Sequence, residues 1–434
     1  MAVKTKAGIT LTAHQQNALD KLHDFLDSPE RLFVLEGYAG TGKTTLLQAF
    51  VSQLKDRGDR RAIVFSAFTN KATKVLHQMV SSWKLDVECL TCCQLLGLRP
   101  QINPETGEQE FIPDQNEQSS FGKFALVVID ECSMVNCHLW ELLQTELYTF
   151  HLTTQILFVG DSAQLPPINE PASPTFLEIS SKAQLTEVVR YGSSIGVLAE
   201  SVRCNLGTYR LPTFHTDLNE DKTEGTVVLR QSDWTKQLLR AFTSDKGQED
   251  SDYVRALAYT NQRVADLNQQ IRNAIFGENA CRFVPGERLM AMGPVFRRKD
   301  EIVMQTSSEC WVEDAYEDDA SGWQVWRLYV VTDANFDVEV TVLHESEQQR
   351  FQQELKRLAE ARRWQDFWLL KQQRFANLNY SYALTVHKSQ GSTFQNVFVD
   401  LPNLMRNHNI RERNQLLYVA VTRAAKRLFV CKAR

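Results

Sequence analysis

The chain has 434 residues, 43% of them apolar and 23% charged, and a formal net charge of −5. Such a composition fits a soluble enzyme of about two to four domains, each able to bury its own core. No stretch reaches the roughly eighteen apolar residues of a spanning helix and Met1 to Lys6 holds no apolar signal core, so a cytoplasmic protein outside the membrane is expected. The acidic balance excludes a surface given over wholly to nucleic acid, leaving only a local groove for a polyanion.

In chain order, residues 32–35 (Leu-Phe-Val-Leu) read as a buried parallel strand, and Leu46, Leu47, Phe50, Val51 and Leu54 recur at helical spacing until Gly58. Between them lies Gly37-Tyr38-Ala39-Gly40-Thr41-Gly42-Lys43-Thr44-Thr45, a complete phosphate-binding loop. Gly37 and Gly42 let backbone amides turn toward phosphate oxygens, Lys43 reaches the β- and γ-phosphates, and the Thr44 hydroxyl suits Mg²⁺. ATP and Mg²⁺ are therefore the expected cofactors, with Gly37, Gly40, Thr41, Gly42, Lys43, Thr44 and Thr45 forming the cradle. Residues 62–65 are strand-like and lead into Ser66-Ala67-Phe68-Thr69-Asn70-Lys71. A polar interruption from 96 to 122 reads as two extended arms around a turn-rich tip, a hairpin inserted into the first domain. Residues 126–129 (Leu-Val-Val-Ile) then end in Asp130 and Glu131. Asp130 is placed for the Mg²⁺ shell and Glu131 for polarising the attacking water. Another strand is expected at 156–159.

A second strand and helix series appears at 254–259 and 264–276 and closes with 383–386, 397–400 and 428–431. Both series predict α/β domains with a parallel sheet covered by helices. Between the second series' pieces, 282–343 is rich in Val, Trp, Tyr and acidic turns, as in a small β-barrel, and 344–377 is a charged helical stretch. Trp364, Phe367 and Trp368 fall in register there and read as a packing face.

Nine cysteines are scattered without a paired CxxC arrangement. Cys89, Cys92 and Cys93 invite a zinc or iron–sulfur reading, but no second cysteine or histidine pair stands at ligand spacing, and buried thiols are expected.

The remaining motifs form a set that resembles the superfamily 1 helicases, most closely the RecD and Dda type of the B subgroup, from Thr12 to about Arg427. Residues 11–18 (Leu-Thr-Ala-His-Gln-Gln-Asn-Ala) look like the Q motif, with Gln15 on the adenine edge. The loop at 37–45 and Asp130-Glu131 match motifs I and II. Residues 158–167 (Phe-Val-Gly-Asp-Ser-Ala-Gln-Leu-Pro-Pro) are similar to motif III, whose Gln164 would sense the γ-phosphate. Residues 185–190 resemble motif IV with Arg190; 383–393, including Gly391, resemble motif V; and 417–424 resemble motif VI with Arg423. Arg190 and Arg423 fit the arginine-finger role, in which a guanidinium neutralises charge on the transferred phosphoryl group.

The resemblance implies two RecA-like P-loop domains: 1–190, interrupted by a pin at 96–122, and 191–281 with 378–434, interrupted at 282–377 by an SH3-like barrel and helical arm. It implies 5′-to-3′ movement on single-stranded DNA and unwinding of forked duplex by a monomer, with replication or recombination proteins as further partners. A strand track would run over Thr69, Asn70, Lys71, Tyr259, Thr260, Asn261, His387, Lys388 and Ser389, combining phosphate contacts with base stacking. As strand-end polar residues, these equally suit helix caps. Ile102 and Phe111 are the candidate wedge at the fork, or the hairpin's own small core. Where the family often has Thr-x-His, this chain has Thr91-Cys92-Cys93. A P-loop ATPase acting as a nucleic-acid switch without processive unwinding, or an RNA helicase, is the alternative.

Overall fold

The structure is a computed structural model and describes residues 3–4, 10–102, 109–113, 118–150, 153–187, 194–297 and 302–432. Its first sheet runs Lys182–Leu185, Leu32–Gly37, Gln155–Gly160, Leu126–Ile129, Ile63–Ala67 and Glu88–Thr91, all parallel. Helices cover both faces, which is why every residue of Leu126–Ile129 and Gln155–Gly160 is buried. On one face, helices Ala13–Asp27 and Lys43–Asp56 pack Leu19, Phe25, Leu46 and Phe50 against Leu35, Leu157 and Val159. On the other, Trp140 and Leu143 of helix Cys137–Thr145 meet Val34, Val127, Ile156 and Phe158, the alternate residues of the same strands. Helix Lys43–Asp56 stops as expected: Gly58 adopts φ +75° and its amide donates to Lys55 O at 2.9 Å.

The second sheet runs Asp217–Leu218, Gly225–Leu229, Ala424–Cys431, Phe394–Val399, Val254–Ala258 and Ala383–Thr385, parallel except for its first pair. Helices Gln231–Phe242 and Asn261–Phe276 cover one face through Trp234, Phe242, Leu267 and Ile271. Helices Ser194–Arg203 and Ile410–Thr422 cover the other. Residues 414–421 of the last helix are all buried, because Ala163 and Leu165 of the first domain join this core from the far side. A helix enclosed on every side is apolar all round its C-terminal half, as this one is.

The insertion carries an antiparallel sheet of Asp337–Leu343, Gln324–Thr332, Glu309–Asp319, Arg288–Ala291 and Leu378–Tyr380. Ala376, just before the last edge strand, donates its amide to Thr341 on the opposite edge at 2.8 Å. The arm, helices Gln348–Glu360 and Trp364–Trp368, packs on Trp323 through Phe351, Leu355 and Leu358, joined by Leu370 and Phe375 just beyond its second helix. Of the expected aromatic face, Phe367 joins this cluster, whereas Trp364 is exposed. In the first domain, Leu98–Ile102 pairs antiparallel with Gln109–Pro113, bringing Pro100 opposite Phe111. The hairpin tip, 103–108, lies outside the described residues.

Strands Glu88–Thr91, Lys182–Leu185 and Gly225–Leu229 carry no expectation from the sequence. The first two are edge strands: Lys182–Leu185 alternates exposed and buried residues, so its apolar content is too low to stand out.

Candidate nucleotide site and strand track

The loops after Gly37, Ile129 and Gly160 leave the carboxyl ends of adjacent strands, the end of a parallel sheet where ligands bind. Glycine is required in the first of them. Gly40 and Gly42 have φ +82° and +83°, and a Cβ on Gly42 would sit 2.3 Å from Gln15 Nε2. A Cβ on Gly37 would lie 2.7 Å from Thr41 Oγ1. Thr41 is fully buried and braces the loop, its hydroxyl donating to Tyr38 O at 2.8 Å. Lys43 Nζ donates to Gly37 O and, at 3.3 Å, to Tyr38 O, so the ammonium rests within the loop. Thr44 is exposed and Thr45 half-buried on the first helical turn.

Gln15 does not present a free amide edge. Its Oε1 accepts from Thr12 N at 3.0 Å, completing a capping box, and its Nε2 donates to Thr41 O at 3.0 Å. It therefore props the phosphate loop.

Asp130 and Glu131 stand side by side, with the Glu131 amide donating to Asp130 Oδ1 at 2.9 Å. Burial, and then the Glu131 charge, push the Asp130 carboxyl up to about 6, against the pull of Lys43. Glu131 occupies the left-handed region at φ 53° and ψ 42°, a conformation costing an L-residue about 1–2 kcal/mol. Strain of this kind gathers at functional sites. Excess negative charge beside a lysine-bearing loop suits a divalent cation, so Thr44 and Asp130 fit the Mg²⁺ role in chemistry. Among the described residues, no group of three or more His, Cys, Asp or Glu side chains forms a separate metal site. Cys89, Cys92 and Cys93 are protonated thiols at neutral pH, because burial raises them to about 11, 12 and 11.

The second domain closes over this end of the sheet. Tyr418 donates its hydroxyl to Asp161 Oδ2 at 2.6 Å and accepts the Ala39 amide of the phosphate loop at 2.9 Å. Gln415 Nε2 donates to Gln164 O at 2.8 Å. The Gln164 side chain is buried, and among the described residues its Oε1 has no hydrogen-bond partner. The Arg203 guanidinium, paired with Glu200, lies 3.8 Å from the centre of the Tyr38 ring. Sequence reasoning missed Tyr38, Arg203 and the role of Tyr418, although Tyr38 and Tyr418 lie inside motif runs already singled out.

Of the two expected finger residues, Arg423 alone can be placed, and it is not brought to the loop. Arg190 lies outside the described residues. Arg423 is buried at the end of helix Ile410–Thr422, where it donates to Ser392 O at 3.0 Å and Val419 O at 3.3 Å. One of those bonds satisfies an orphan carbonyl in the last turn of its own helix, and the other ties it to the loop before strand Phe394–Val399. Gly391, expected at the nucleotide, has φ +70°, and a Cβ there would lie 3.5 Å from Ala72, against the first-domain helix Asn70–Ser82.

The candidate track residues separate into two kinds. Thr69 and Thr260 cap their helices, accepting from the Ala72 and Arg263 amides. Ser389 is a correction: fully buried, its hydroxyl donates to Val386 O at 2.7 Å, so it shapes its turn and faces no strand. Tyr259 and His387 present rings with centroids 6.5 Å apart, and His387 also approaches Glu412 at 3.8 Å. Asn70 is half-buried and Asn261 exposed at the starts of their helices. Lys388, its ammonium's pKa lowered by burial, points at Met292 Sδ in a cavity of about 280 Å³ shared with Asn261 and Met290. Lys71 bridges domains, pairing with Asp252 at 3.0 Å and Glu309 at 3.5 Å. Glu309 also holds Arg255 at 3.0 Å, and both are almost wholly buried. Phe111 is 36% exposed on the hairpin, whereas the Ile102 side chain lies outside what is described.

Comparison with known proteins agrees with this architecture. Residues 10–208 match the AAA domain family, and residues 380–431 match the UvrD-like helicase C-terminal domain. The ATP-dependent DNA helicase Dda of Enterobacteria phage T4 is 27% identical, over 96% of this chain and 98% of that protein. The RecBCD subunit RecD of Buchnera aphidicola is 22% identical over 96% and 73%. An uncharacterised protein, R530 of Acanthamoeba polyphaga mimivirus, is 24% identical over 95% and 98%. A structure of a Bacteroides Pif1 helicase with ADP-AlF3 and single-stranded DNA superposes with a TM-score of 0.51 at 15% identity, covering 96% of this chain and 92% of that one. At that identity the likeness speaks for the fold alone.

Fold and site together define a P-loop protein of two RecA-like α/β domains facing each other across a cleft. The sequence relatives and family matches support a helicase of superfamily 1B, the group of Dda and RecD.

Proposed function

We propose that the chain is an ATP-dependent DNA helicase that moves 5′ to 3′ along a single strand and unwinds duplex ahead of it. One observation carries this reading: the phosphate loop contacts the second domain directly, through Ala39 and Tyr418, while Lys71 makes a second contact between the domains and Tyr259 and His387 pair their rings. A protein so arranged can couple closure on a nucleotide to relative motion of two strand-holding domains.

In this reading Lys43 and the loop amides hold the phosphates, and Glu131 orients the attacking water. Gln164 supplies an unpaired amide oxygen to the reaction zone, and Thr44 with Asp130 hold Mg²⁺. The bound ion would neutralise charge on the phosphate oxygens. Arg423 must leave its Ser392 and Val419 carbonyls to serve as a finger, a rearrangement that would accompany closure. Arg203, already over Tyr38 at the cleft, is a second cation for the same zone. The strand would lie over Thr69, Asn70, Lys71, Tyr259, Thr260, Asn261, His387 and Lys388. The Dda relative, an ATP-dependent DNA helicase, supports DNA as the polymer, and the 5′-to-3′ direction follows from the motif resemblance. The assigned units are 1–190 with the pin 96–122, 191–281 with 378–434, and the insertion 282–377.

The direct test is ATP hydrolysis by the native chain and Lys43→Ala, with and without single-stranded DNA or RNA of matched length. Turnover should rise with DNA and vanish in the variant. Near-native turnover by Lys43→Ala would remove the nucleotide site from this loop, and stimulation by RNA alone would move the substrate class.

A further inference from the structure

The Ala39 amide belongs to the phosphate loop, yet its acceptor is not in the loop or in the first domain. It donates to the hydroxyl of Tyr418, and that hydroxyl donates back to Asp161 of the first domain. The chain of bonds thus crosses the cleft twice. Asp161 is fully buried, and its other oxygen accepts the Ala163 amide at 3.0 Å, so among the described residues the tyrosine supplies its hydrogen bond from across the cleft. Tyr38 and Ala39 pack into the apolar core that Tyr418 shares with the second sheet. Gln415, three residues before Tyr418, holds the backbone of Gln164.

We propose that Tyr418 is a positioning residue of the ATPase cycle, the contact through which docking of the second domain is registered on the phosphate loop. The inference rests on the helicase reading above and adds a residue and a bond to it. A hydrogen bond weakens steeply once donor and acceptor part or lose alignment, so a small rotation of the second domain strips Ala39 and Asp161 of their shared partner at once. With Tyr418 in place, the loop amides and Asp161 are held in one arrangement; without it, the loop still binds nucleotide through Lys43 but loses its report of the domain above. Bonds in series to a buried carboxylate reinforce one another, so the hydroxyl acts through Asp161 and not beside it. Arg423 lies on the same rigid segment, five residues on. Registering Tyr418 therefore also sets where that guanidinium begins its movement.

The test removes the hydroxyl and keeps the ring. ATP hydrolysis is measured with and without an oligo-dT strand for the native chain, Tyr418→Phe, Asp161→Asn and the double variant, with thermal melts of all four. Tyr418→Phe should lower strand-stimulated kcat about 10- to 100-fold while KM for ATP stays within about threefold, the signature of a contact that matters in the transition state. Asp161→Asn should do the same, and the double variant should fall no further than the worse single, because both act through one bond. A purely structural role would lower the melting temperature and leave the stimulation ratio intact, and that result overturns the inference. So does a rise in KM alone, or losses that multiply in the double variant. If Tyr418→Phe folds poorly, the isosteric Asp161→Asn carries the same comparison of stimulated kcat with KM. A native chain that hydrolyses ATP with no response to the strand overturns the helicase reading, and this inference with it.

Discussion

Asp130 carries the consequence of placing two carboxylates at the end of a buried strand. Its folded value of about 6 lies above the ordinary 3.8, so folding favours its protonated form. Stability from that form is complete below about pH 3.8 and is lost as pH rises through about 6. Asp130→Asn should therefore melt with the native chain near pH 4 in metal-free buffer and several degrees higher at pH 7.5. A difference that stays flat across that range, read by thermal denaturation, would mean that the charge pair is relieved in some other way. Glu131, in its left-handed conformation, adds strain at the same corner, in keeping with the water-orienting role proposed for it.

At the scale of elements, the Lys71, Glu309 and Arg255 network ties the helix Asn70–Ser82 to the insertion and to the second sheet. Removing Glu309 leaves Arg255 buried without its charge partner, whereas removing Lys71 leaves a better-solvated gap, because Lys71 is 19% exposed and Arg255 1%. Glu309→Ala should cost about 3–5 kcal/mol in denaturant unfolding, and Lys71→Ala distinctly less. Equal losses would contradict the assignment of Arg255 as the dependent partner. The hairpin poses a separate question. Phe111 is exposed opposite Pro100, and stacking of a ring on a base is worth about 1–3 kcal/mol. Phe111→Ala should lower fork unwinding and leave strand-stimulated hydrolysis nearly unchanged; if both fall together, the ring serves the fold of the hairpin.

These elements also show why parts of the site were legible and others were not. The strand, glycine loop and helix at 32–56 announce themselves because the chemistry and the apolar pattern are contiguous, and the same holds for 126–131. Tyr418 and Ala39 are 379 positions apart and Arg255 and Glu309 are 54 apart, so no local period signals either pair. Glu309 reads as a solvated acid among other acidic residues, and only the fold shows it enclosed by two cations. Ser389 misled for a related reason: a serine in a polar turn looks available, but its hydroxyl bonds to a backbone carbonyl of that turn. Arg423 fitted a known role by motif, yet the end of its own helix captures it in this conformation.

For the whole molecule, two covered parallel sheets meet at the phosphate loop through residues from distant parts of the chain, and the insertion meets the first domain through Lys71. Motion between the sheets would thus be felt both at the phosphate loop and at the proposed strand track, as the proposed motor requires. The central claim is that this motion drives directional unwinding of DNA. It is tested most directly by following strand separation of one labelled duplex carrying either a 5′ or a 3′ single-stranded tail, with ATP and Mg²⁺ present. The account predicts unwinding of the 5′-tailed duplex, none of the 3′-tailed duplex, and none of either with Lys43→Ala. Efficient unwinding of the 3′-tailed duplex alone would contradict the direction, and hydrolysis stimulated by DNA without separation of either substrate would contradict the helicase and leave a nucleic-acid-responsive ATPase.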